Sequence, residues 1–246
     1  MSKRFKGKTC AYCASLGASE TGDHVFARQF FPVEKRQNLP QVPACVSCNN
    51  KKAELEHYLT TVLPFAGRHA DAPRMLTEMV PDRLAKNLKL HRELSEGKTQ
   101  TWEEVGGLLV PRMALPFQSE KLASLCEYIA KGLAVHHWGT VIPADHNVRA
   151  GMVTAYGDQQ FKRFLAMNGN RVSESWGDDA FRYEGLQSRE HLGLTVWRFE
   201  PYGAIQMSGD SNAPEEAPTC VWVTTSRSGT FGALLDGEEL PAPIAL

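Results

Sequence analysis

The 246-residue chain lacks any run of some 18 apolar residues, which excludes a transmembrane helix. Its basic start, MSKRFKGKTC, is followed by no apolar stretch, which argues against a secretory signal and for a cytoplasmic protein. No segment repeats. Cysteine is sparse, six in all, and in a reducing cytosol disulfides are not expected of it. Net charge is almost absent, at −1, so the molecule as a whole is not a polycation. With 42 % hydrophobic and 22 % charged residues, disorder is excluded and a core can be buried without staples.

The near-zero charge hides an asymmetry. Residues 1–52 carry nine Lys/Arg against three acids, while the remaining 194 carry 18 basic and 25 acidic groups. A basic N-terminal quarter points to a local surface for a polyanion. Four of the six cysteines fall in the same quarter as two Cys-x-x-Cys pairs, Cys10/Cys13 in TCAYC and Cys45/Cys48 in ACVSC. A tight knuckle turn aims two thiolates at one metal, and two knuckles complete a tetrahedron, so this spacing reads as a structural four-thiolate Zn²⁺ site. The alternatives are a redox pair, which wants a βαβ context that neither pair has, or unrelated free thiols. Cys126 and Cys220 lie in apolar stretches and read as core thiols.

Between the knuckles, Gly17 and Gly22 bracket a turn and His24–Ala27 is strand-like. NLPQVPA follows, whose two prolines rule out a regular central strand. A helix starts at the second knuckle, with Leu55, Leu59 and Val62 on one face and no breaker before Pro64. Residues 81–95 read as a helix opened by Pro81, with Leu84, Leu88, His91 and Leu94 on one face; residues 97–117 read as a Gly/Pro loop. Residues 119–138 give the best amphipathic helix, with Ser119 as N-cap and Gly139 after it, and a shorter helix fits 158–167. Runs near 179–185, 192–199, 202–207 and 220–225 alternate as in a small antiparallel sheet, and Gly209 to Pro218 reads as an exposed loop. The fold class is α+β, with an N-terminal module over 1–66 and a larger mixed domain over 67–246.

The stretch CAYC, DHVFA, QNL and CVSCNNKK holds, in order, Cys-x-x-Cys, Asp-His, Asn and Cys-x-x-Cys-Asn-x-x-Lys. In that order it resembles the HNH endonucleases with a zinc-stapled ββα-metal fold, over roughly residues 8–63. The resemblance implies a metal-dependent phosphodiester hydrolase acting on DNA, with RNA an open alternative. It implies His24 as general base, for which neutral imidazole is suited. It implies Asp23 and Asn49 as ligands of one Mg²⁺ or Mn²⁺, a hard oxygen-only pair. Asn38 would hold the loop and orient the base, and Lys51 and Lys52 would contact phosphate. Neighbours on a strand point to opposite faces, so Asp23 and His24 need a twist or bulge to address one point. His57 lies eight residues past Asn49, roughly 12 Å along a helix at ~1.5 Å per residue, too far to share an ion.

Blander readings accompany each group. Asn49 and Asn50 suit a helix cap. Asp145-His146 reads as loop, His136-His137 as a helix C-terminus favoured by the macrodipole, and Trp197, Phe199 and Trp222 as core. The rival function is a non-catalytic zinc module that binds nucleic acid or protein. A further alternative is that residues 67–246 bear the main activity, with the module as targeting device. Otherwise residues 67–246 are expected to serve substrate choice, partner binding or homodimerisation.

Overall fold

In the computed structural model, which describes residues 4–205 and 218–227, a turn-rich segment carrying Cys10 and Cys13 leads into a short hairpin. Its strands β1 (Thr21–His24) and β2 (Gln41–Ala44) pair antiparallel, with Asp23 opposite Val42 and His24 opposite Gln41. Gly22 is required there: a Cβ would lie 2.4 Å from the Phe5 ring that covers the strand. The strand-like run ends sooner than its composition suggests, because Val25, Phe26 and Ala27 turn inward and are buried. Pro43 is tolerated in β2 because this two-stranded sheet has only edges, and its carbonyl still accepts from Ala11 N (2.9 Å).

Helix α1 (Val46–Ala66) starts inside the second knuckle and runs through Pro64. Proline has no N–H for the Thr60 carbonyl four residues back. That orphaned acceptor is satisfied from outside the helix, by Arg83 Nη1. Then come α2 (Asp71–Glu78), α3 (Val80–Lys86) and α4 (Leu88–Gly97). The single helix expected over 81–95 is thus broken at Asn87, which leaves helical backbone angles and caps α4 by accepting from Leu90 N (3.1 Å). The break re-phases the apolar face, so Leu90 and Leu94 are buried while Leu88 is exposed.

The stretch expected as loop, 97–117, contains a hairpin of β3 (Thr99–Val105) and β4 (Leu108–Ala114), turning at Gly106-Gly107 with both glycines at positive φ. Helix α5 (Ser119–Trp138) has the expected limits and face, burying Leu122, Leu125, Ile129 and Leu133, and ends on left-handed Gly139, but Ser119 is its first helical residue and Gln118, without a side-chain bond, is the N-cap. After β5 (Asn147–Thr154), α6 (Ala155–Leu165) and β6 (Gly169–Trp176) come β7 (Phe181–Ser188), β8 (Thr195–Pro201) and β9 (Pro218–Ser226). The five strands form one antiparallel sheet in the order β5-β9-β8-β7-β6. The run near 202–207 is a turn over Tyr202–Ala204. Its last two residues, and residues 209–217 of the expected loop, lie outside the described residues.

Hairpin, α1, α5 and sheet share one continuous apolar cluster. Phe26 packs on Phe181 (centroids 4.8 Å apart), Tyr202 donates to Phe30 O (2.7 Å), and a Cβ on Gly132 of α5 would press on Val25. The N-terminal module is therefore built onto the rest of the molecule rather than hung from it. No helix among the described residues is long and apolar enough to cross a membrane.

Candidate metal centre and active site

The sulfurs of Cys10, Cys13, Cys45 and Cys48 lie within 4.8 Å of one another, and among the described residues this is the one cluster of three or more Cys, His, Asp or Glu side chains placed to hold a metal. Cys13 and Cys45 sulfurs are 3.9 Å apart, close to the ~3.8 Å edge of a tetrahedron with Zn–S bonds of about 2.3 Å. Ala14 at positive φ closes the first knuckle, its N–H on Cys10 O (3.0 Å), and Cys45 N donates to Cys10 Sγ (3.4 Å). Burial pushes the Cys10 and Cys48 thiols up. For Cys13 burial is outweighed by hydrogen bonds with Ser15, Cys10 and Cys48, which bring it down to about 6. Cys13 ionises easily while burial resists it at Cys10 and Cys48; a dication removes that conflict, so the donor set fits Zn²⁺.

Tyr12, between the first two cysteines, turns its hydroxyl away from the metal site and donates to Asp23 Oδ2 (2.5 Å). The same oxygen meets Lys52 Nζ (3.0 Å), and Lys52 also pairs with Glu56 and donates to His24 O (2.7 Å). Lys52 is fully buried, with 0 % exposure. The expectation that it contacts phosphate is therefore corrected: its ammonium is spent inside the protein, between two carboxylates and a carbonyl. Lys51 is exposed. Burial raises the pKa of Glu56 against the pull of Lys52, and burial together with the Asp23 charge raises that of Tyr12 well above the usual phenol range.

The register between β1 and β2 is regular, without the bulge that would bring neighbours to one face. Asp23 accordingly shares the inward face with Val42 and His24 faces outward beside Gln41, so the strand does not supply the twist or bulge that the two would need to address one point. The His24 ring is half-buried, and Gln41 Nε2 is 2.8 Å from its Nε2. An amide nitrogen only donates, so this contact selects the Nδ1–H tautomer; with the amide turned over, Nε2 donates to it and Nδ1 is left basic. Either way Gln41 sets the plane of the imidazole. Burial lowers the His24 pKa, reinforced by the Arg28 and Lys52 charges and opposed by Asp23, so the ring is neutral at pH 7.

Asn38 is exposed and sits at φ 58, the left-handed backbone that Asn tolerates, so it holds the loop before β2 by conformation. Among the described residues no hydrogen bond joins it to His24, and the orienting contact expected of Asn38 comes from Gln41 instead. Asn49 is partly buried on the first turn of α1, one turn before Lys52 and on its face. Asn49, Lys52 and Glu56, at i, i+3 and i+7, share one face of α1, from which Lys52 reaches Asp23 and His24 O of β1. His57 is exposed on another face of α1.

Tyr12, Gln41, Glu56 and Arg28 were missed from sequence. Glu56 carried a signal, four residues after Lys52, where ion pairs form on a helix. Gln41 carried none, since its role depends on strand register. The chain matches no protein-family model, no curated protein and no solved structure.

Proposed function

We propose that this protein is a metal-dependent endonuclease of the HNH type that hydrolyses phosphodiester bonds of DNA. The observation that carries the reading is the setting of His24: a neutral, partly open imidazole steadied by Gln41, at the end of a strand stapled by the four-cysteine group and overlaid by α1.

The hard-cation site is tested by its donors. Both contacts of Asp23 use Oδ2, so among the described residues Oδ1 has no donor. Two carboxylates around one ammonium leave a net negative charge, which favours a cation. Asp23 Oδ1 and the Asn49 amide oxygen are hard donors of the kind Mg²⁺ or Mn²⁺ takes and would hold it; bound there, the ion would neutralise charge developing on phosphorus and on the departing 3′-oxygen. The protein's own residues do the rest. With Nε2 bonded to the Gln41 amide oxygen, His24 Nδ1 takes the proton of a water as its oxygen forms the new bond to phosphorus; the P–O3′ bond breaks and the departing 3′-oxygen takes a proton from solvent. Lys52 and Tyr12 hold the Asp23 carboxylate in one orientation, and Gln41 holds the ring.

The Lys52–Asp23–Tyr12 network also favours a second reading, a non-catalytic zinc module in which Asp23 only braces the hairpin. The two are separated by plasmid nicking with Mg²⁺, Mn²⁺ or Ni²⁺ supplied. The nuclease reading expects His24→Ala to keep its zinc and its melting temperature while cleavage falls at least about 100-fold, the weight of a general base. A folded, zinc-loaded wild type that never cuts would leave the zinc module.

A further inference from the structure

With Lys52 buried, Lys51 is left of the pair expected to meet phosphate, and further cations gather beside α1. Beside α1 there is a cavity of ≈ 560 Å³, within the range of about 300–1,000 Å³ typical of ligand sites. It lies among the turn after β1, α1 and α3, and Arg36, Arg83 and Lys86 line it. Arg36 gives its Nε to Phe31 O (2.9 Å) and one terminal nitrogen to Met79 Sδ (3.7 Å). Arg83 gives its terminal nitrogens to Thr60 O, Gln29 O (2.8 Å) and Met79 Sδ (3.8 Å). Among the described residues neither guanidinium forms an ion pair with a carboxylate. Two partly buried guanidiniums are thus fixed in place on carbonyls and sulfur, with no carboxylate in direct contact.

The acids of the cavity do not change the balance. Glu78 shares Arg74 with Glu34 and Asp82 is exposed, so two carboxylates of the lining face three cations. His57, set aside as a metal ligand, lines the same space. Continuity with His24 runs along the chain: Arg28, exposed and four residues past His24, adjoins Gln29 of the cavity lining.

We propose that this cavity is an anion subsite that takes a phosphodiester of the nucleic-acid strand running past His24, an inference that rests on the nuclease reading. Two cations suit substitution: Arg36 touches one carbonyl and one sulfur, and Lys86 is exposed, whereas Arg83 also supports α1.

The test is fluorescence anisotropy of a short labelled DNA duplex with the full-length, zinc-loaded protein and no added divalent cation. Arg36→Gln and Lys86→Gln are each expected to weaken binding about 3- to 10-fold, and the double variant more. The slope of log K against log salt should fall by roughly 0.9 per contact removed. Arg182→Gln, across the sheet in a pair with Asp179, should bind as wild type. A folded double variant with wild-type affinity and salt slope overturns the proposal, as does a wild type that binds inorganic phosphate but no duplex. If Arg36→Gln does not fold, Lys86→Gln decides alone by the same slope. Wild-type cleavage with unchanged duplex binding in the double variant sinks the subsite and spares the nuclease. Lost duplex binding in a protein that never cuts does the reverse.

Discussion

A lysine that no water reaches is held by the charges around it. Lys52 lies between Asp23 and Glu56 with His24 O as third acceptor, so it stabilises the hairpin from within α1. Lys52→Met leaves two carboxylates facing each other in a buried space and is expected to cost about 3–5 kcal/mol. Lys51→Met, at an exposed position, should stay within about 0.5 kcal/mol. Denaturant midpoints of the two variants check this, and equal effects would contradict it. In the sequence, CNNKK reads as a basic pair on a helix start; helical phase sends one lysine out and the other in, and only Glu56 hinted at which. Asp23 and His24 were legible as a pair, whereas their division between two faces required the register of β1 on β2.

Elements are joined here by polar contacts that span long stretches of chain. Helix α6 is tied to the large sheet through Asp158, which takes Arg198 Nε (2.6 Å) and Nη2 (2.9 Å), Trp222 Nε1 (2.9 Å) and Lys162 Nζ (3.1 Å). Arg198 and Trp222 face each other across β8 and β9, so one carboxylate serves both strands. Burial opposes ionisation of Asp158, but the hydrogen bonds from Arg198, Cys220, Trp222 and Lys162 outweigh it and hold the group well below the usual carboxylate range. A depressed carboxylate contributes stability above its unfolded pKa, about 3.9, and loses it as pH falls through the folded value. Wild type and Asp158→Asn should therefore differ by about 3–5 kcal/mol near neutrality. That difference should shrink as the pH falls below about 4, read from urea unfolding at several pH values. A difference constant with pH would contradict the assignment. The limits of α5 could be read from its 3.6-residue period and Gly139. The break at Asn87 could not, since the apolar pattern there suits one helix as well as two, and the place of β5 depends on β9, far along the chain.

At the scale of the whole molecule, the hairpin and α1 have no core of their own. Val25, Phe26, Phe30 and Leu59 lie in the cluster that includes Phe181, Trp197 and Tyr202. A fragment of residues 1–66 is therefore expected to remain unfolded even with Zn²⁺, by circular dichroism melting and proton NMR dispersion; a cooperative melt would show the module to be independent. For the same reason, removing zinc from the full chain should lower its melting temperature as one transition rather than release a local segment. The boundary near residue 66 marks the end of α1, and composition does not reveal that apolar faces on either side of it are shared. The central claim concerns chemistry at His24, and the chemistry of the ends it leaves tests it most directly. DNA cut by the zinc-loaded protein with Mn²⁺ should carry 3′-hydroxyl and 5′-phosphate ends that DNA ligase rejoins, and His24→Ala should produce none. Ends with a 3′-phosphate, or equal cleavage by His24→Ala, would contradict the account.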